Sequence, residues 1–239
     1  DHDIQPVFVH ACYLINLASP DRTLYLRSIR RLARDLRHAA VLGCRGVVVH
    51  LGSPGKHSDK PRDWCIERVA KGVDAAVADA PDSVKLLLEN SAGMGNGIGS
   101  SYTQIGDIIS AAKRPDRLAA CIDTAHSFAA GYGWDSAAGL QAALDEIDDA
   151  FGLGMLALLH VNDSRTERGS KVDRHWHIGK GEIGLDGFRA IVNHPALRHL
   201  PMVMETPEAS VEADMRNLKA LRRCIRPEFR PPLRPAPSA

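Results

Sequence analysis

Leu118-Ala-Ala-Cys121-Ile-Asp123-Thr-Ala-His126 decides how this chain folds. The apolar run Leu118–Ile122 goes without polar interruption into an aspartate, and a histidine follows three residues later. A short continuous apolar run suits a strand covered on both faces, as in a parallel sheet, rather than the alternating pattern of a half-exposed strand. The same form recurs along the chain. Val7–Val9 leads into His10, Val47–Val49 into His50, Val84–Leu88 into Glu89, Met155–Leu159 into His160 and Pro201–Met204 into Glu205.

Helical periodicity fills the intervals. Tyr25, Ile29, Leu32, Leu36 and Ala40 share one face, with Ser19-Pro20 as the expected cap and first turn and Gly43 as the stop. Ile66, Val69, Val73 and Val77 repeat the pattern, as do Ile105, Ile108, Ile109 and Ala112, and then Leu140, Leu144, Ile147 and Phe151. Ser210 opens a last helix through Met215, Leu218 and Leu221. Strands alternating with helices imply a parallel sheet with right-handed crossovers. Two architectures satisfy that pattern, an open doubly wound sheet and a closed (β/α)8 barrel, and six strands are too few to close the second. A length of 239 residues fits one large domain. The expected organisation is a barrel domain over residues 1–224 and a flexible Pro- and Arg-rich tail over 225–239.

Composition narrows the partners. Hydrophobic residues make up 44% and charged residues 25%, which suits a globular core. Formal net charge is +1, so contact with nucleic acid must come from a local patch or from bound metal. The cysteines Cys12, Cys44, Cys65, Cys121 and Cys224 are scattered and odd in number, which reads as reduced thiols, mostly core packing, in the cytoplasm. No apolar run approaches the roughly 18 residues of a membrane helix. The N-terminus, Asp-His-Asp, is not a signal peptide and lacks a starting Met, so a fragment or a processed product is expected.

The chemistry lies at the strand ends. In a parallel barrel every strand C-terminus opens on one face, so His10, His50, Glu89, Asp123, His160 and Glu205 converge there. Strand packing does not ask for such residues. His126 lies in the turn leaving the fourth strand, and Asp173 and His175, two apart, point the same way along an extended loop. Asp173 could equally pair with Arg174 or a nearby lysine. Four carboxylates in one poorly solvated pocket repel one another. Three divalent cations would turn a charge of about −4 into about +2, a site suited to an anionic phosphate. Mixed imidazole and carboxylate ligation favours Zn2+, with Mn2+ or Fe2+ as alternatives. His2, His38, His57, His194 and His199 read as surface residues, and His177 is open to a supporting or substrate role. The Gly93-x-Gly95-x-Gly97-x-Gly99 stretch matches no nucleotide-binding motif and reads as a flexible loop.

These segments resemble the signatures of the endonuclease IV family (AP endonuclease family 2). The resemblance rests on His10-Ala-Cys-Tyr13-Leu-Ile-Asn16-Leu, His50-Leu-Gly-Ser53, Glu89-Asn-Ser-Ala-Gly and Cys-Ile-Asp123-Thr-Ala-His126-Ser-Phe-Ala-Ala-Gly-Tyr132. It continues in His160-Val-Asn-Asp163-Ser, Gly169-Ser-Lys-Val-Asp173-Arg-His175 and Glu205-Thr-Pro, in the family's order. The resemblance implies a (β/α)8 barrel with three zinc ions. His10, His50 and Glu89 would hold the first. Glu89 would bridge to a second, held also by Asp123, His160 and Glu205. His126, Asp173 and His175 would hold the third. A metal-bound hydroxide would cut the phosphodiester 5′ to an abasic site in double-stranded DNA, leaving a 3′-hydroxyl and a 5′-deoxyribose phosphate, and the family also clears blocked 3′ ends. Tyr13, Asn16, Ser170 and Arg174 would contact the substrate.

One departure stands out. Family members carry two strand–helix units before the motif matching His10, and only nine residues precede it here. The expectation is an incomplete barrel with six of eight units, a monomer in the full-length form and self-association in a truncated one. Two rival readings remain open: a single-metal sugar isomerase or epimerase on the same barrel, and an inactive DNA-binding fragment.

Overall fold

The computed structural model describes residues 4–208 and 210–230. Its strands are β1 (Phe8–His10), β2 (Gly46–His50), β3 (Lys85–Glu89), β4 (Leu118–Asp123), β5 (Leu156–His160), β6 (Asp163–Ser164), β7 (His175–Trp176) and β8 (Met202–Val203). Six of them form one sheet in the order β1-β2-β3-β4-β5-β8, with every neighbouring pair parallel. The order follows the chain and never reverses. A doubly wound sheet reverses at a switch point, so this is barrel construction, and six strands leave it an incomplete barrel of the TIM type.

The helices are α1 (Arg22–Val41), α2 (Arg62–Ala78), α3 (Tyr102–Ala111), α4 (Thr124–Ala130), α5 (Ala137–Phe151), α6 (Gly184–Asn193) and α7 (Val211–Cys224). Leu32 and Leu36 of α1, Val69 and Val73 of α2 and Ile105 of α3 bury against Val47, Val49, Leu86 and Leu88. Leu144 and Ile147 of α5 and Phe188 and Ile191 of α6 do the same against Ile122 and Leu159. Each fully buried Val, Leu or Ile contributes about 1.5–3 kcal/mol, which is what holds the helices to the sheet.

A third, smaller cluster lies on the opposite face: Val48, Leu87, Cys121 and Leu158, with Phe8 packed against it. These residues alternate with the helix-facing set because side chains switch faces at every step along a strand. Two positions further along the same parity stand His10, His50, Glu89, Asp123 and His160. Parity alone therefore sends all five onto the concave face, at the end where the parallel strands finish.

Several expectations change in detail. Each ligand-type residue of β1–β5 is the strand's last member rather than the residue after it. The side chain of Asp21, not Ser19, caps α1, accepting from Leu24 N at 2.7 Å, while Ser19 Oγ accepts from Asp21 N one step earlier. The first helix does stop at Gly43, whose φ of +69° suits a glycine. The Gly93–Gly99 stretch is held in place rather than free. Ser91 N donates to Gly99 O, Ile98 N donates to Gly52 O, and Ser53 Oγ donates to Gly95 O at 2.6 Å. The tail is also partly structured. Pro227–Phe229 forms a 3-10 turn, Arg226 N donates to Asn193 Oδ1, and the Arg198 guanidinium covers the Phe229 ring at 4.2 Å. Residues 231–239 and His2 lie outside the described residues. His38, His57 and His199 are exposed, but His194 is half-buried: Ala196 N donates to its Nδ1, and Nε2 faces Gln141 Oε1. Among the described residues no helix is long and apolar enough to cross a membrane.

Candidate metal centre

Glu89 is the middle of the site. It ends β3, has no solvent exposure, and its two oxygens face different imidazoles. Oε2 lies 3.1 Å from His10 Nε2 and 2.9 Å from His50 Nε2. Oε1 lies 2.9 Å from His160 Nδ1, which also stands 3.0 Å from Glu205 Oε2. Burial opposes the charge on Glu89, yet hydrogen bonds from His10, His160 and His50 override it and hold the carboxyl well below its ordinary range. Burial likewise disfavours a charged His160, and Cys121, Glu205 and Glu89 push its pKa up instead.

The second half of the site lies where α4 leaves β4. Asp123 Oδ1 caps α4 by accepting from His126 N at 2.8 Å, which places His126 one turn above the strand end. The His126 and His175 rings meet there, with Nε2 atoms 3.4 Å apart. Asp173 Oδ2 is 3.2 Å from His126 Nε2, and Asp173 Oδ1 is 3.4 Å from His175 Nε2. Asp123 Oδ2 is 3.5 Å from His175 Nε2. Burial opposes a proton on His126, but the charge of Asp123 and the hydrogen bond to Asp173 push its pKa up to about 10.

Three imidazoles are oriented by backbone carbonyls. His10 Nδ1 faces Ala11 O at 2.8 Å, His126 Nδ1 faces Asn90 O at 3.0 Å and His175 Nδ1 faces Glu205 O at 3.0 Å. A carbonyl oxygen only accepts, so each Nδ1 carries a hydrogen and each Nε2 is turned inward. This is how metal-binding histidines are set by their surroundings. The facing Nε2 atoms of His126 and His175 then meet lone pair to lone pair when both rings are neutral. Either a proton on one ring or a shared cation relieves that contact.

The spacing fits a cation. Two ligand atoms bound at ~2.0–2.1 Å to one tetrahedral ion lie about 3.3 Å apart. Ligand atoms within 4.8 Å of one another form the groups His10/His50/Glu89, His10/His160/Glu205, Glu89/Asp123/His160/Glu205 and Asp123/His126/His175. The groups share members, so the residues expected at the strand ends and loops form one connected cluster, which Asp173 joins through its contacts with both rings. A donor set of imidazoles and carboxylates suits Zn2+ and its neighbours.

The chain's relatives bear on what such a site serves. A family profile described as a xylose isomerase-like TIM barrel matches residues 1–226. A probable endonuclease 4 from Methanoculleus marisnigri is 43% identical over 220 residues, covering 92% of this chain and 77% of that protein. The chain belongs to the endonuclease IV family. Endonuclease IV from Thermus thermophilus superposes with a TM-score of 0.78 at 35% identity, over 92% of this chain and 75% of that one. A D-tagatose 3-epimerase-like protein also superposes, with a TM-score of 0.71 over 92% of this chain and 76% of that one. At 17% identity it shares the fold alone.

Three further residues at the centre lie inside the quoted segments but carry no ligand expectation from the sequence. Cys121, read as core packing, shares a buried triangle with Glu89 and His160, and burial pushes its thiol up to about 12. Its distance of two from Asp123 along one strand was the available signal. Asn90 and Asn162, each inside a quoted segment, bond Asp123, a role that the segments alone do not assign. The residues expected at the substrate lie at the rim. Tyr13 is 80% exposed, and it lines a cavity of about 390 Å3 with Asn16, Ser53, Met94, His50, His126 and Asp173. The Asn16 side chain is engaged within its loop, donating to Ser53 O and accepting from Ser53 N and Ala18 N. A side chain at Gly52 would strike Asn16, so a glycine with φ of +89° is needed beside His50. Ser170 and Arg174 are exposed on the loop between β6 and β7, bonded to Thr166 Oγ1 and Asp173 O respectively. His177 bonds Asn217 and approaches Glu208 at 3.8 Å, outside the ligand groups.

Proposed function

We propose that this chain is a metal-dependent DNA repair endonuclease that hydrolyses the phosphodiester 5′ to an abasic site. It leaves a 3′-hydroxyl and a 5′-deoxyribose phosphate and also clears blocked 3′ ends. The observation that carries the reading is the shared carboxylate of Glu89, with one oxygen toward His10 and His50 and the other toward His160. A carboxylate used on both sides suits adjacent cations, whereas a single-metal isomerase needs only one side. Bound divalent cations supply Lewis acidity toward phosphoryl oxygens and acidify a water for in-line displacement.

The chain's own residues then have definite tasks. His10, His50 and Glu89 would hold one cation, Glu89, Asp123, His160 and Glu205 a second, and His126, Asp173 and His175 a third, with zinc the ion that fits this donor set best and Mn2+ or Fe2+ as substitutes. Ala11, Asn90 and Glu205 keep three rings turned by their carbonyls. Tyr13, Asn16, Ser170 and Arg174 take the duplex side, Tyr13 as an exposed ring on the cavity it lines with His50 and His126 and Arg174 toward phosphate. The setting is the cytoplasm, in keeping with five unpaired cysteines.

The test is incision of a duplex bearing one abasic-site analogue. The expected result is a single cut 5′ to the lesion, lost on chelation and restored by zinc. A zinc-loaded protein that leaves the duplex intact would overturn the reading.

A further inference from the structure

Asn162 has no solvent exposure and lies two residues past His160, between the two strands that flank β5. Its Nδ2 donates to Asp123 Oδ2 at 2.6 Å, and its Oδ1 accepts from Glu205 N at 2.6 Å. Its own backbone is pinned at both ends to one hydroxyl: Thr124 Oγ1 donates to Asn162 O at 2.6 Å and accepts from Asn162 N at 3.0 Å. One amide therefore ties the end of β4 to the segment after β8, across the end of β5.

The orientation of that amide is forced. The Asp123 carboxylate can only accept and the Glu205 N–H can only donate, so the NH2 must face Asp123 and the oxygen must face Glu205. We propose that Asn162 is a positioning residue: a crossbar that sets the separation and aim of the Asp123 and Glu205 carboxylates, and so governs occupancy of the cation position they share with Glu89 and His160. This rests on the multi-metal reading of the site and assigns Asn162 a role separate from the ligands themselves.

Asn90 secures the complementary part. Its Oδ1 accepts from Asp123 N at 2.7 Å and its Nδ2 donates to Asp123 O at 3.2 Å, so it fixes the backbone of Asp123 while Asn162 fixes the carboxylate. Outer partners of metal ligands typically alter metal affinity about 10–100-fold when removed.

The test compares Asn162→Ala with Asn217→Ala in zinc titrations against a competing chelator, with no nucleic acid present. Asn217 is also buried, but it bonds Ile178 N, Thr206 Oγ1 and His177 rather than any of the nine ligand residues. The expected result is that Asn162→Ala weakens one zinc per chain by about 10–100-fold and leaves the others near wild type. Asn217→Ala is expected to lower the melting temperature and keep every zinc. A third variant, Thr124→Val, removes only the hydroxyl that pins Asn162 and is expected to weaken the same zinc to a smaller degree, so the inference stays testable if Asn162→Ala does not fold. The proposal is overturned if Asn162→Ala folds and binds all its zinc with wild-type affinity. It is equally overturned if Asn162→Ala does not fold and Thr124→Val leaves zinc binding unchanged. Loss of incision by the wild-type protein with these zinc affinities intact would instead count against the nuclease reading alone.

Discussion

At the scale of the residue, Glu89 carries the most. Replacing it with Gln keeps its shape but removes the charge that faces the imidazoles of His10, His50, His160 and His126. Glu89→Gln is expected to bring incision to background and to reduce bound metal, with an unchanged far-ultraviolet circular dichroism spectrum. Near-normal incision would contradict the bridging role. The protonation states of the metal-free site give a second prediction. His126 sits up to about 10 in the folded chain against 6.5 in the unfolded one, so its stabilising contribution is complete below pH 6.5 and fades as pH rises through 10. Asp173 and Glu205 work the other way: burial raises them, contacts with His126 and His160 outweigh it and hold them below the ordinary range, and their contribution fades as pH falls through the acid range. Melting temperatures of the chelator-treated protein should thus fall on both sides of neutrality. The metal-loaded protein should be flatter on the alkaline side, because a cation replaces the proton on His126. For the same reason metal affinity should rise with pH, read as proton release on binding by calorimetry in two buffers.

At the scale of the element, the strands and main helices were legible because each carries one period: continuous apolar runs for β2–β5, and a 3.6-residue repeat for α1, α2 and α5. Three elements escaped notice: α6, although Ile183, Phe188, Ile191 and Val192 recur at helical spacing, and two others that have no periodic signature. The hairpin of β6 and β7 pairs only Asp163 with Trp176 and Ser164 with His175, and α4 is a single buried stretch continuing from β4. Asp163 shows why the loop after the hairpin needs tertiary information. Its carboxylate accepts from Gly179 N, Gly181 N, Ile183 N and Gly184 N, gathering backbone donors up to 21 residues away in sequence and serving as the remote cap of α6. No local pattern announces that. Asp163→Ala leaves one buried and three partly buried donors without that acceptor and is expected to cost about 3 kcal/mol, read as a lower urea midpoint. A loss under about 0.5 kcal/mol would show that the loop holds without it.

At the scale of the whole molecule, site and fold come from the same feature. Parallel strands finish at one rim, so a histidine or carboxylate at the end of each strand meets the others without further instruction. That much could be read from the recurring strand ends. The crossbars could not, because an asparagine between two strands has no spacing rule. The sheet also leaves β1 and β8 with a neighbour on one side only among the described residues, and Val7 and Val203 lie about 40% exposed beside them. Open, apolar edges favour pairing between chains. This 239-residue chain should therefore show a mass that rises with concentration in light scattering. A constant monomer mass across that range would mean the edges are protected.

The central claim is that these nine side chains hold several cations at once. Elemental analysis of the purified, zinc-equilibrated chain tests it most directly. Close to three zinc ions per chain are expected, and a value near one or near zero would contradict joint binding by these side chains.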